Sequence, residues 1–334
     1  MIKNIWGLNF LGRNKMNNIE LIQEHCYTKR LNFLIGSGAS SDAIPLMGQF
    51  SSFGDKANEE LLKCVKDISE KVLLKCTGDK PKSPITLGER LKIFKSYKSY
   101  TQFIEGLIQC LLNVNSREIP RSVNIFTTNY DLFLECAIDT VLRTRNFVCN
   151  DGSRGYFTKV LDWTNFNRVV AYKGINDNYN YELPLVNLIK PHGSVNWKRD
   201  GENVLISSNV CEDPFVVPPT GYESKETFLT NYFYEMLRVF QLELEKPQSI
   251  LVVIGFSFQD VHIAKMVRRA IQNPELRVYI FAYSNSAIHN IRENIGISKT
   301  DSRLIIWGPG DFESKPLTLK EVTKILFEKK LGDS

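Results

Sequence analysis

The chain has 334 residues, 43% of them hydrophobic and 24% charged, with a formal net charge of +5. This is the balance of a soluble globular protein, either one large domain or a core carrying an insertion. The charge is too thinly spread to mark a nucleic-acid-binding protein, no apolar stretch nears the roughly 18 residues of a membrane span, and the seven cysteines include no C-x-x-C pair of the zinc-ribbon kind.

Scattered thiols without a secretory leader suit a reducing cytoplasm. Residues 1–17 read as an irregular lead, and Ile19, Leu21 and Ile22 behind Asn18 predict a short helix. Leu31 to Ile35 reads as a strand running directly into Gly36-Ser37-Gly38-Ala39-Ser40. Between 55 and 118 the apolar residues Leu61, Leu62, Val65, Ile68, Val72 and Leu73 recur at helical steps, with a lysine- and proline-bearing loop over 76–86. The basic cluster from Lys92 to Lys98 is interleaved with Ile93, Phe94 and Tyr97 and reads as a solvated helix face, leaving nucleic acid at most an indirect partner.

Strand character returns at Val123 to Thr128, followed by Asn129-Tyr130-Asp131 and a helix to Leu142. Residues 150–182, rich in Gly, Asn, Asp and Tyr, read as a loop or hairpin insertion. Leu185 to Ile189 is a strand leading into Pro191-His192-Gly193-Ser194. Ser249 to Ile254 is a strand ending in Gly255-Phe256-Ser257-Phe258, and Asp260 opens the next helix. Strands at 277–282 and 303–307 and a C-terminal helix over 311–334 complete the set.

Apolar runs without alternation, separated by helices, mark a parallel sheet covered on both faces. The expected fold is therefore α/β, a Rossmann-like doubly wound sheet with a helical insertion after the first strand. The core spans 31–54 and 119–310, the insertion 55–118. In such sheets ligands bind beyond the carboxyl ends of the strands, and four polar loops follow four strands here.

Each loop alone admits a plain reading. Gly36 and Gly38 can free backbone N–H groups for a phosphate, or simply make a tight turn; they lack the G-x-G-x-x-G spacing of a dehydrogenase. Asn129 and Asp131 can hold a ligand or cap a helix. His192 can serve as a base or be a turn residue, and Asp260 reads as a cap. Gly255 and Ser257 fit a ribose contact or a turn.

In order and spacing, GSGAS with Ile44-Pro45 behind it, TTNYD, PHGSVNW and GFSFQDVHI resemble the sirtuin (silent information regulator) family, in particular its bacterial effector branch. Pro218-Pro219 in FVVPPT is similar to that branch as well. The resemblance implies a domain that binds NAD as substrate and breaks its nicotinamide–ribose bond. It implies a pyrophosphate loop at Gly36, Ser37, Gly38, Ala39 and Ser40 with Pro45 close behind, and nicotinamide-ribose contacts from Thr128, Asn129 and Asp131. His192 matches the catalytic histidine, and Gly255 and Ser257 match the element beside the adenosine ribose. Asn129, His192 and Asp131 form the implied catalytic set. Two departures stand out: no zinc ribbon, and Leu46-Met47-Gly48 where the family's D-F-R follows the phosphate loop. Both point from protein deacetylation to hydrolysis of NAD by water, with no zinc required. The branch further implies antiphage defence by NAD depletion, a homo-oligomer, and a partner such as a HerA-like ATPase. Binding of NAD or ADP-ribose without turnover, as a sensor or scaffold, is the alternative.

Overall fold

The structure, a computed structural model, describes residues 18–80, 84–114, 119–173, 180–217, 231–297, 301–312 and 315–328. The expected lead, Pro218-Pro219 and the end of the expected C-terminal helix lie outside them.

The apolar runs form the strands of one parallel sheet. A first helix, α1 (18–28), precedes β1 (Arg30–Ile35), and the GSGAS loop that follows holds a single 3₁₀ turn over Ser37–Ser40. The insertion is a pair of long helices, α2 (Ala57–Thr77) and α3 (Leu87–Leu112). Thr86 starts α3 by accepting a hydrogen bond from the Glu89 N–H at 3.3 Å, one of the donors a helix start leaves unsatisfied. Then come β2 (Ser122–Thr127), α4 (Phe133–Leu142) and β3 (Val148–Asn150).

The stretch expected to be loop or hairpin carries short strands, β4 (Ser153–Arg154), β5 (Lys159–Leu161), β6 (Ala171–Lys173) and β7 (Asn180–Glu182). After β8 (Leu185–Ile189) the chain forms a hairpin that the sequence reading did not anticipate, β9 (Trp197–Asp200) and β10 (Asn203–Ile206). It joins β4 and β5 in a small antiparallel sheet of order β4-β5-β10-β9. The chain ends with α5 (Asn231–Glu245), β11 (Ser249–Ile254), α6 (Val261–Ala270), β12 (Arg277–Phe281), α7 (Ala287–Ile295), β13 (Leu304–Trp307) and α8 (Leu319–Phe327).

Seven strands lie in the order β13-β12-β11-β1-β2-β8-β3, every pairing parallel. This is the expected Rossmann-like α/β architecture. Successive side chains of a strand point to opposite faces, and both faces are covered. Phe33 and Ile35 pack with Tyr100, Phe103 and Leu107 of the insertion, while Leu34, Leu251 and Val253 pack with Phe240 of α5 and Val267 of α6. On α3, Ile93 and Tyr100 are buried while Lys92, Lys95 and Lys98 are exposed, the solvated face expected for the basic cluster.

Polar residues also run through the sheet. Asn32, Asn124, Asn187 and Asn150 stand side by side in register on β1, β2, β8 and β3. Asn124 Nδ2 donates to Asn32 Oδ1 at 2.9 Å, Asn187 Nδ2 to Asn124 Oδ1 at 2.8 Å, and Asn150 Nδ2 to Asn187 Oδ1 at 2.9 Å. At the end of this ladder Asn32 Nδ2 donates to the Ile250 carbonyl of β11 at 3.2 Å. An amide carries both donors and acceptors, so each asparagine can serve two neighbours inside an apolar layer.

Candidate active site

The chain enters the sheet at its centre. It first builds outward from β1 through β2 and then returns to add β11 on the other side. The strand order therefore reverses between β1 and β11, and a crevice opens at their carboxyl ends. Here the loops after the two strands interlock. The Gly36 N–H donates to the Ile254 carbonyl at 3.0 Å and the Gly38 N–H to the Gly255 carbonyl at 2.9 Å. Gly255 has a φ of +66°, and a Cβ on it would lie 2.4 Å from the Ala39 nitrogen. The glycines are thus needed for one loop to lie against the other. The expectation from sequence had been a free approach to a phosphate or a plain tight turn.

Beside this junction lies a cavity of about 470 Å³. Ser37, Gly38, Ala39, Gly255 and Ser257 line it, and it extends past the end of β12 to Asn290 of α7. Pro45 is half-buried just before Leu46, another lining residue. The half-buried Thr128 and the buried Asn129, Asp131 and His192 are not part of its lining.

Asn129 sits behind the 3₁₀ turn. Its N–H donates to Thr127 Oγ1 at 3.1 Å, and Thr127 Oγ1 donates to the Ile35 carbonyl at 2.8 Å, tying the loop after β2 to the end of β1. Asn129 Nδ2 donates to the Gly36 carbonyl at 3.1 Å and lies 3.4 Å from Ser40 Oγ. Its Oδ1 is buried and has no hydrogen-bond partner among the described residues. A buried amide oxygen is normally satisfied, so this one points to a missing donor.

Asp131 accepts hydrogen bonds from Ser40 Oγ at 2.9 Å and from the Phe133 N–H at 3.1 Å, so it caps α4 as well as joining the site. Burial pushes its carboxyl above the ordinary range, against the lowering pull of Lys190 and of these two bonds. Lys190, itself buried, donates to the Asp131 carbonyl, Glu135 Oε1 and Ser194 Oγ at 2.7, 2.7 and 2.9 Å. Tyr100 of the insertion completes the cluster: Oη lies 2.8 Å from Ser40 Oγ, and the ring stacks on Phe133 at 5.5 Å between centroids. Sequence reading did not single out Tyr100, because a lone tyrosine in an amphipathic helix carries no signal until α3 is laid over the sheet.

His192 is held by its backbone. Gly193 has a φ of +84°, and a Cβ there would come within 2.2 Å of the Phe215 carbonyl oxygen. The Val217 N–H donates to the His192 carbonyl at 2.9 Å. On the ring, Nε2 lies 3.1 Å from Asp260 Oδ2. Asp260 does cap α6, as expected, through Oδ1 and the N–H groups of His262 and Ile263 at 2.9 and 3.2 Å. Its second oxygen is what the sequence reading missed. Burial pushes the Asp260 carboxyl upward, but the hydrogen bond and charge of His192 and the two backbone N–H groups prevail and hold it below the ordinary value. The available signal was position: Asp260 follows a strand at the same sheet edge as His192.

In a Rossmann-like fold the crevice at the switch point is where ligands bind. The model of the SIR2-like domain family matches residues 123–300, more than half of the chain, and the protein belongs to that family. The match takes in TTNYD, PHGS and GFSFQD and begins after the GSGAS loop. The family consists generally of NAD-dependent enzymes, and such a domain implies NAD binding. Comparison with curated proteins finds no match. Among the described residues, no group of three or more His, Cys, Asp or Glu side chains is placed to hold a metal ion, and no helix is long and apolar enough to cross a membrane.

Proposed function

We propose that the protein hydrolyses NAD to nicotinamide and ADP-ribose. The observation that carries the reading is the buried Oδ1 of Asn129, without a hydrogen-bond partner among the described residues and set against the Gly36–Ser40 loop at the switch point. It is suited to accept a hydrogen bond from a ribose hydroxyl or from water. The cavity beside Gly38, Gly255 and Ser257 would take the ADP portion.

Nicotinamide leaves as a neutral ring, because the electron pair of the C1′–N bond returns to its positively charged nitrogen. No general acid is needed for that departure. Water adds to C1′ of the oxocarbenium-like ribose, and its proton passes to His192. The part played by the protein is to hold the ribose and take that proton. On this reading the enzyme acts in bacterial antiphage defence by depleting NAD. It would work as a homo-oligomer, with a partner such as a HerA-like ATPase.

The test is nicotinamide release from NAD by the purified protein. Asn129→Ala and His192→Ala are expected to lower it by about 10²–10⁴-fold while remaining folded. Turnover near wild type in either variant would refute the assignment. A second reading, binding without turnover, has one observation in its favour: Asn129 and His192 are buried and do not line the cavity. That reading expects ADP-ribose binding with no nicotinamide release from the wild type.

A further inference from the structure

Asn129 can present Oδ1 to a ligand only if the other end of its amide is held. The Gly36 carbonyl, 3.1 Å from Nδ2, can only accept, so the nitrogen lies on that side and the oxygen on the other. This bond uses one of the two Nδ2 protons. The second faces a pair of hydroxyls, Ser40 Oγ at 3.4 Å and Tyr100 Oη at 3.5 Å, a shared contact of the three-centre kind.

The direction of the hydroxyl hydrogens decides what this pair can do. Ser40 Oγ gives its only hydrogen to Asp131 Oδ2 at 2.9 Å. In the 2.8 Å contact between the two hydroxyls, Tyr100 is therefore the donor and Ser40 the acceptor. Both oxygens then offer lone pairs, and no hydrogen, to Asn129. Tyr100 keeps its proton, because burial and the charge of Asp131 push its hydroxyl well above the ordinary range. Tyr100, Ser40, Asp131 and Asn129 are all buried, where each hydrogen bond counts for more than it would in water. The tyrosine ring is itself fixed, stacked on Phe133 with an angle of 7° between the planes. Tyr100 belongs to α3, outside the residues 123–300 that the family model matches.

We infer that Tyr100 is a positioning residue for Asn129: its hydroxyl orders that of Ser40, and the two oxygens hold the second Nδ2 proton, so that Oδ1 stays turned toward the group it accepts from. This rests on the NAD-cleaving reading of the crevice. The helical insertion thereby supplies a working part of the site.

Tyr100→Phe removes the hydroxyl and leaves the ring on Phe133. In nicotinamide release from NAD by the full chain, kcat is expected to fall about tenfold, the weight of one buried hydrogen bond, with KM within about threefold. The same exchange made in Asn129→Ala is expected to change kcat less than about twofold, because nothing is left there to position. A tyrosine with a merely structural role would cost the same in both backgrounds. The side-chain amide of Asn129, assigned in ¹H–¹⁵N spectra by its absence from Asn129→Ala, reads the contact directly. Tyr100→Phe is expected to move one Nδ2 proton upfield and to leave the other, on Gly36, in place. Should Tyr100→Phe not fold, Ser40→Ala cuts the link at its other hydroxyl and is expected to give the same shift and the same fall in kcat. Unchanged kcat, an equal loss in the Asn129→Ala background, or amide protons that stay at their wild-type positions would each overturn the inference. If the wild type releases no nicotinamide, the NAD-cleaving reading fails, and the amide protons alone decide whether Tyr100 holds Asn129.

Discussion

Gly255 carries the tightest steric constraint at the crevice. Its left-handed backbone and the 2.4 Å separation between a built Cβ and the Ala39 nitrogen leave no room for a side chain. The obstacle is backbone, which cannot swing away as a side-chain tip would. Gly255→Ala is expected to lower stability by about 1–3 kcal/mol in urea unfolding, the usual cost of overpacking, and to part the two loops that border the cavity. A loss under about 0.5 kcal/mol would mean that the loops yield easily. This steric lock was only half legible in the sequence. Gly36, Gly38 and Gly255 were visible as turn formers, but only the pairing of β1 with β11 sets one loop against the other. The same limit hid the second task of Asp260, whose helix cap depends on neighbours in sequence while its histidine contact depends on a strand order that no local pattern encodes.

Among the elements, the asparagine ladder explains how β1, β2, β8 and the edge strand β3 keep their register. A slip of one residue would turn each amide to the opposite face and break all three side-chain bonds at once. In the sequence Asn32, Asn124 and Asn187 were each one polar letter inside an apolar run rightly read as a strand, whereas Asn150 fell at the start of the stretch read as a loop or hairpin. Their shared level became visible only with the pairing. Asn124→Ala removes the donor to Asn32 and the acceptor for Asn187, and it is expected to cost about 1–3 kcal/mol for each buried group left unpaired. Chemical denaturation measures this, and a change below about 0.5 kcal/mol would show the ladder to be dispensable. The insertion, read correctly as helical, also supplies Tyr100 to the buried cluster around Ser40 and Asp131. A helix pair added after the first strand is in this way built into the site and cannot be shifted without disturbing it.

Over the whole molecule, the cavity and the buried polar cluster are two adjoining compartments of one sheet edge. Ser37, Gly38 and Ser257 face the first, and Asn129 and Asp131 belong to the second. If the cavity holds the ADP portion, ligand and chemistry can be tested separately. ADP-ribose at about a hundred times its Kd should add roughly 2.7 kcal/mol to the stability of both the wild type and His192→Ala. Thermal unfolding with and without ADP-ribose measures this, and stabilisation of neither protein would place the nucleotide elsewhere. The alternation of strand and helix made the parallel architecture legible from the start and showed six of its seven strands; β3, three residues long at the edge of the sheet, was not read as a strand. The small antiparallel sheet was not legible, because β4 and β5 are two and three residues long and find β10 only after the chain has crossed β8.

The pairing of β1 with β11 also sets a timetable. Asn32 meets the Ile250 carbonyl 218 positions further along the chain. With synthesis at about 5–20 residues per second, β1 waits roughly 10–45 s for its central neighbour. During that interval the nascent chain already holds Asn129 and His192, but the GSGAS loop has no Gly255 loop to lie against and Asp260 has not been made. The crevice comes into being only when β11 and its loop emerge from the ribosome. An unfinished chain would therefore lack the crevice on which the proposed reaction depends.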